Sequence, residues 1–562
     1  MQGGITTNPV SSLRGSACRA FLRTLRDLCP CVLVALFAIM KHSEIALFAT
    51  GRVQEEMGPL SWLVLAPLVG ILVLLVLPAS QTRLIKAVGI GFAAVPAVLA
   101  GYLYATFRPA QEGFQFVERA TWFTFVYPNA RSGSGTWQEV PIAYGMGVDG
   151  LSLPLVLLAA TVGFLAAVAS VGYTKRVKEY FLFFLLLQAG TLGAFATTST
   201  LLFFIFFEVV LVASFFLIGV WGSERREEAA YQFLIYNGLG SLLMLLAFVW
   251  IFNAVLSFDV SEIGKRLGEA YLSPGTQAFV FALLFLGFAV KLPMFPFHTW
   301  MLRAHTEAPP AMSMILSGVL LKLGAYGMLR FAVGFFPEVA YQASTFLAVM
   351  GLVNLLYGAF AALVQKSLKM VIVYSSLSHM GLVLLGIAAF NTLGFQGAVF
   401  QMVSHGLIAA LLFFLAGAFT ERFGTTEFSA LGGIGKKLPY LSGVLLVAAM
   451  ASLGLPLMAG FVSEVQVYVG LFTSDLRTYA WIALLGLVLT AAYWLRAVTQ
   501  ATYGPLAPET ERKPLSDLQF AEWVPALVLV GLIVFLGVYP ASLSVVVAQG
   551  LAPFSPPVAL LP

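Results

Sequence analysis

Residues 285–307 read Phe-Leu-Gly-Phe-Ala-Val-Lys291-Leu-Pro293-Met-Phe-Pro296-Phe-His298-Thr-Trp-Met-Leu-Arg303-Ala-His305-Thr-Glu307. An apolar run that could enter a bilayer reaches a lysine, meets two prolines, and then resumes. Proline lacks a backbone donor and clashes with the preceding helical turn, so the spacing predicts a helix broken beside its own charge. A second such stretch, Leu-Gly454-Leu-Pro456-Leu-Met-Ala-Gly460-Phe-Val-Ser-Glu464, occupies residues 453–464. Broken helices expose backbone where it can line a cavity. One in each half, each with a charge beside the break, is the pattern of transporters built from inverted repeats.

Composition agrees with a membrane setting. Of 562 residues, 60% are hydrophobic and only 10% charged, against about 45–50% and about 25% in soluble domains. Mean hydropathy is +0.92. A net charge of +5 without a long basic run excludes nucleic-acid binding. Cys18, Cys29 and Cys31 all sit near the N-terminus, which excludes a four-thiolate cluster or an extended disulfide framework.

A hydrocarbon core about 30 Å thick needs roughly 20 apolar residues per helix. Fourteen runs qualify, near 60–78, 85–104, 150–172, 180–197, 201–221, 229–252, 276–297, 308–330, 342–363, 370–389, 395–417, 440–470, 479–499 and 522–545. The expected fold is an all-α polytopic membrane protein of about 14 transmembrane helices, with two inverted five-helix repeats that each contain a broken helix. The boundaries read as an N-terminal extension 1–56, N-terminal helices 57–172, a first half-channel 173–337, a second half-channel 338–505, and a C-terminal helix and tail 506–562.

Alternate loops hold fifteen and seven lysines and arginines. The richer set, from Arg83 and Lys86 to Arg512 and Lys513, is expected on the cytoplasmic side, with both ends of the bundle outside. The poorer set includes Arg131 and Arg330. Residues 106–144, with Pro128-Asn129 and Ser132-Gly133-Ser134-Gly135, read as an external hairpin or loop. Residues 1–56 read as a signal peptide, a surface helix, or upstream translation of a gene beginning at Met57, and the last reading is preferred.

Chemistry points to the ionisable residues inside the spans: Glu208, Lys291, Lys322 and Glu464. Each costs about 2.5–3.5 kcal/mol at the bilayer centre, on the order of 10–14 kcal/mol for four. Such groups serve a proton or ion path, or else one buried pair that locks packing. His379 and His405 fall in adjacent spans, with Ser375, Ser376, Ser378 and Ser404 placed to hold water nearby. Imidazole can take a proton on one nitrogen and release it from the other. His298, Arg303, His305 and Glu307 read as a cytoplasmic-side entrance or as a solvated loop. Gly145, Gly147 and Gly150 match the dinucleotide string, but no strand is expected before them and a span follows, so they read as a turn into a helix. No metal-binding spacing or nucleotide motif occurs in the sequence. Phenylalanine and tryptophan stripes read as lipid-facing or packing surface.

The strings around Lys291 to Glu307, Leu-Leu-Lys322-Leu-Gly-Ala-Tyr, Lys366-Ser-Leu-Lys369 and Tyr-Ser-Ser-Leu-Ser-His379-Met-Gly resemble the antiporter-like membrane subunits of respiratory complex I and of multisubunit cation/proton antiporters. The resemblance covers about 57–545. It implies a charge-switched pair of Glu208 and Lys291, a link through Lys322, a hydrated axis of His379 and His405, and an outlet at Glu464. Glutamate at the terminal position resembles the M-type, or chain 4, members, and the long lateral helix of L-type members is lacking. Leu457 stands where the family places glycine, and residues 1–56 have no family counterpart. Implied partners are L-, N-, K-, J-, A- and H-type subunits in a prokaryotic plasma membrane. Flavin, iron–sulfur clusters and quinone would reside on partner subunits of the complex, with no cofactor or metal in this chain. A sodium/proton antiporter subunit and a membrane-bound hydrogenase subunit are the alternative readings.

Overall fold

The computed structural model describes residues 57–128, 137–269, 272–506 and 515–551. The extension 1–56, Asn129, Arg131, the Ser-Gly-Ser-Gly stretch 132–135, Arg512 and Lys513 lie outside the described residues.

The chain opens with helices α1 (Pro59–Val76) and α2 (Thr82–Thr106), a hairpin of β1 (Gln115–Pro128) and β2 (Trp137–Val148), and α3 (Leu153–Ala169). There follow α4 (Val177–Ala196), α5 (Thr200–Trp221), α6 (Arg226–Val255), the short α7 (Val260–Glu269), α8 (Pro274–Lys291), α9 (Thr299–Glu307) and α10 (Pro310–Val333). The second half comprises α11 (Ser344–Leu363), α12 (Leu368–Ala388), α13 (Thr392–Phe423), α14 (Pro439–Ser452), α15 (Ala459–Phe472) and α16 (Arg477–Thr502). α17 (Phe520–Val538) and α18 (Ala541–Gly550) close the described chain.

Thirteen helices among the described residues are long and apolar enough to cross a membrane, and the bent pair of Phe428–Lys436 with Pro439–Ser452 raises the number to fourteen. The spans α4, α5, α6, α8–α9 and α10 are followed by α11, α12, α13, α14–α15 and α16, with the fourth span broken in both runs. Five is an odd number, so the second run begins on the opposite membrane face from the first, and the repeat is inverted. Two expected spans are subdivided. Residues 440–470 form two half-helices, and the run 522–545 ends as a span at Val538 before the separate α18.

Local chemistry sets these boundaries. Proline occupies the first turn of α1, α3, α8 and α14, where its missing N–H costs nothing. Asn391 caps α13 by accepting from Gly394 N at 2.8 Å, and Gly424, at φ +75°, ends that helix in the left-handed conformation. The orphan carbonyls at helix C-termini take charged donors. Lys178 donates to Leu77 O at 2.8 Å, Lys86 to Val171 O at 2.7 Å, Lys175 to Val220 O at 2.9 Å, and Lys369 to Thr306 O at 3.0 Å. All four belong to the richer loop set, so part of that charge bias holds helix ends.

The glycine string needs correction. Gly145 and Gly147 lie inside strand β2, not in a turn, and Gly145 O accepts from Thr198 N and Thr197 Oγ1. A Cβ on Gly145 would stand 2.6 Å from Thr198 Oγ1, so close backbone approach explains this glycine. The hairpin is antiparallel, without a βαβ unit. It is fastened to the bundle by Glu118, whose carboxylate accepts from Leu60 N at 2.8 Å and Ser61 N at 2.9 Å at the start of α1. The central stretches of α10 and α13 are wholly enclosed by other helices, whereas α6 presents Tyr231, Ile235, Leu239, Leu242 and Leu246 outward at helical spacing. The outward stripe is the surface expected to meet lipid.

Candidate proton-relay site

The two enclosed helices, one from each half, bring Lys322 against the second-half residues. Lys322, fully buried on α10, donates to Ser317 O at 2.5 Å and lies 2.7 Å from His405 Nδ1 on α13. α10 is π-helical over Leu316–Leu320 and Met328–Val333, on either side of Lys322. A π-bulge re-aims side chains and interrupts the i→i−4 ladder, and here Ser317 O serves the lysine five residues further on. The His405 and His379 rings are 5.4 Å apart between centroids. His379 Nδ1 lies 3.9 Å from Glu464 Oε1. Lys322, His405, His379 and Glu464 are each at most 5% exposed, so the row runs through low-dielectric interior.

Neutral side chains complete the row, and sequence reasoning missed them. Gln401 Nε2 approaches His379 Nδ1 at 3.1 Å, and Gln401 Oε1 accepts from Ser463 Oγ. Ser452 Oγ sits 3.2 Å from His379 Nε2 and accepts from Trp494 Nε1 at 2.8 Å. The one available signal was a glutamine inside a 32-residue apolar helix. Of the serines expected to hold water, Ser375 and Ser378 instead donate to Ile372 O and Leu355 O at 2.8 Å. Ser376 and Ser404 reach across helices to Ser317 and Ser463.

The second break lies against Glu464. Gly454 has φ +80°, and a Cβ there would stand 2.4 Å from Glu464 Oε2, so the carboxylate rests on bare backbone. Gly460 packs so closely that a Cβ would stand 2.2 Å from Ala451 O. Leu457, where the family resemblance expects glycine, adopts φ +72°.

In the first half, α8 stops at Lys291, and the irregular stretch 292–298 holds Pro293 and Pro296 before α9 resumes. Among the described residues, Lys291 Nζ and Glu208 Oε1 are both buried without a hydrogen-bond partner. The ammonium lies 4.8 Å from the centre of the Phe207 ring and 5.4 Å from that of Phe233. Glu208 directly follows Phe207 on helix α5, and no ion pair joins it to Lys291. The lysine is thus held by aromatic faces, and neither its ammonium nor Glu208 Oε1 has a hydrogen-bond partner.

The expected entrance cluster divides in two. Arg303 is exposed beside Glu228 at 3.7 Å, and Glu307 accepts from Arg225 N at 3.0 Å. Around them is a cavity of 240 Å³. His298 and His305 are buried, which overturns the solvated-loop reading for both. His305 stacks on Phe413 at 4.6 Å, and His298 packs between Phe295 and Tyr357.

A further buried pair was also missed. Arg330, counted among loop cations, sits inside the last π-helical turn of α10 and grips Asp149 at 2.6 and 2.7 Å. Asp149 Oδ1 also accepts from Leu151 N and Ser152 N ahead of α3. No cluster of three or more metal-binding side chains occurs among the described residues.

A multi-pass helical bundle with two broken spans and a buried lysine–histidine–glutamate row defines a class of membrane proteins that move ions. Residues 197–490 match the family model described as NADH:quinone oxidoreductase/Mrp antiporter, transmembrane, and the chain belongs to that family. NADH-quinone oxidoreductase subunit M of Rickettsia prowazekii is 36% identical over 79% of this chain and 87% of its own length. NAD(P)H-quinone oxidoreductase chain 4-2 of Synechocystis is 37% identical over 81% of this chain and 80% of its own. A chain of respiratory complex I from Thermus thermophilus superposes with TM-score 0.75 at 29% identity, covering 89% of this chain and 100% of that one. A chain of the Mrp complex from Dietzia superposes with TM-score 0.76 at 21% identity, covering 89% of this chain and 98% of that one, a likeness of fold.

Proposed function

We propose that this chain is the proton-translocating, M-type membrane-arm subunit of an NADH–quinone oxidoreductase. The observation that carries this reading is the buried row from Lys322 through His405 and His379 to Glu464. Buried ionisable groups at this density are far too costly to serve as packing.

Proton uptake uses the Glu208–Lys291 site. With the carboxylate near, the ammonium is stabilised; when Glu208 moves away, Lys291 is left facing only aromatic rings and releases its proton toward Lys322. From Lys322 the proton passes to His405 through the 2.7 Å contact, then to His379 and to Glu464. Against 100 mV each proton requires about 2.3 kcal/mol. That energy comes from electron transfer on redox partner subunits, which carry the flavin, iron–sulfur and quinone chemistry, and this chain sits beside membrane-arm partners of the L-, N-, K-, J-, A- and H-types. The host membrane on this reading is the prokaryotic plasma membrane, with both ends of the bundle outside.

The test uses the complex reconstituted in vesicles. Glu208→Gln and Lys291→Ala lower the protons moved per electron while donor-to-quinone electron transfer continues. Wild-type stoichiometry in both variants refutes the mechanism. Sodium-dependent proton exchange without any electron donor would transfer the assignment to an antiporter.

A further inference from the structure

We infer that Gln401 is a positioning residue whose side-chain amide rotates between two hydrogen-bonded states and so gates proton passage from His379 to Glu464. The inference deepens the function proposed above and rests on that reading.

In the observed state, Gln401 Nε2–H donates to His379 Nδ1 at 3.1 Å, while Gln401 Oε1 accepts from the Ser463 hydroxyl. Nδ1 is therefore a lone pair, and a neutral imidazole must carry its proton on Nε2. Ser452 Oγ receives that Nε2–H at 3.2 Å. The nitrogen that faces Glu464, at 3.9 Å, is thus the one the amide keeps unprotonated. A proton cannot pass from His379 to Glu464 through Nδ1 while this arrangement holds.

Rotating the amide by about 180° gives a second state with every polar group still satisfied. Gln401 Oε1 then accepts from a protonated Nδ1, and Nε2–H donates to Ser463 Oγ. The Ser463 hydroxyl can turn to Gly460 O, already 2.8 Å away. Ser463 thus serves both states, as donor to the amide in one and acceptor in the other. Gln401 is 1% exposed and Ser463 0%, so no bulk water blurs the choice. Two satisfied arrangements separated by one rotation form a bistable element.

The step balances without a co-reactant. His405, protonated by the Lys322 ammonium, gives up an N–H proton that forms the N–H bond on His379 Nδ1 as the amide turns its oxygen there, leaving His405 neutral and His379 an imidazolium with both nitrogens protonated. As the amide oxygen swings away from Nδ1, the Nδ1–H bond breaks, the proton forms an O–H bond on the Glu464 Oε1 carboxylate at 3.9 Å, and the imidazole returns to its Nε2–H form. The amide rotates back and the path closes against return flow.

The experiment uses the whole complex in vesicles, with Gln401→Glu, Gln401→Met and Ser463→Ala compared with Glu464→Gln. The carboxylate introduced by Gln401→Glu accepts but never donates, so it holds the proton on Nδ1. Expected is a fall in protons per electron equal to that of Glu464→Gln, and a histidine infrared band moved from the Nε2–H to the Nδ1–H tautomer position. That band is identified by isotope-labelled histidine and its loss in His379→Gln. A merely structural glutamine would not move it. In Gln401→Met and Ser463→Ala, proton leak back through the idle complex rises several-fold, because one state is no longer held. Wild-type pumping, leak and tautomer in these variants overturn the gate. If Lys291→Ala still lowers the ratio, the proposed function survives that loss; if it too is wild-type, both readings fall together.

Discussion

Removing Asp149 while leaving Arg330 in place would strand a guanidinium inside the bundle. The two side chains are 9% and 7% exposed, and the contact is bidentate at 2.6 and 2.7 Å. In Asp149→Leu, Arg330 keeps only Tyr326 Oη at 3.4 Å and the faces of Phe114 and Tyr326. Breaking a buried pair by deleting one partner costs about 3–5 kcal/mol, and the lost turn at Leu151 and Ser152 adds about 1 kcal/mol. In Arg330→Met the stranded group is the carboxylate, which still accepts from two backbone N–H groups, so its cost falls near the lower end, about 3 kcal/mol. The double variant strands neither charge. Its loss falls to little more than the roughly 1 kcal/mol of the missing turn, below either single variant and far below their sum. The assay is the temperature at which the purified complex releases this chain, measured for the wild type, both single variants and the double variant. Additive losses, with the double variant worse than either single one, would refute the stranded-charge argument.

Leu457→Gly relieves a left-handed residue that costs about 1–2 kcal/mol in an L-amino acid. After the extra entropy of glycine, a net gain of about 0.5–1 kcal/mol is expected, visible as a higher dissociation temperature. Little packing is lost, since Leu457 is 65% exposed. Burial raises the Glu118 carboxyl above its ordinary 4.5, against the hydrogen bonds from Leu60 and Ser61. The folded state therefore binds this proton more tightly than the unfolded one, and the associated stability is full below pH 4.5 and lost as pH rises through the folded value. Hydrogen exchange at residues 58–62, corrected for intrinsic rates, should quicken across that window and become pH-independent in Glu118→Gln.

The spans and their buried charges were legible because a membrane makes both conspicuous: about twenty apolar residues are needed to cross, and a lysine within them is expensive. Asp149 and Arg330 escaped because each falls at the edge of an apolar run, where a charge looks solvated. Their partnership joins residues 181 apart, which no local pattern encodes. Gln401, Ser452 and Ser463 carry no charge, and their value lies in hydrogen bonds between helices that only packing brings together. His298 and His305 were grouped with Arg303 and Glu307 by proximity in the chain. Helical periodicity separates them, turning the imidazoles inward and the charged ends out. The π-helical turns of α10 have no local signature, since they arise from how that helix fits its neighbours.

Lys322, His379 and His405 each lie near the midpoint of the helix that bears them. A proton on this row has therefore traversed about half of the transmembrane field, whichever side it came from. At 100 mV the loading and unloading steps each work against roughly half of the about 2.3 kcal/mol per charge. The electrical work is divided into two near-equal portions. Blocking the outlet alone leaves a protein whose loading equilibrium still responds to voltage, with an effective valence of about one half per proton.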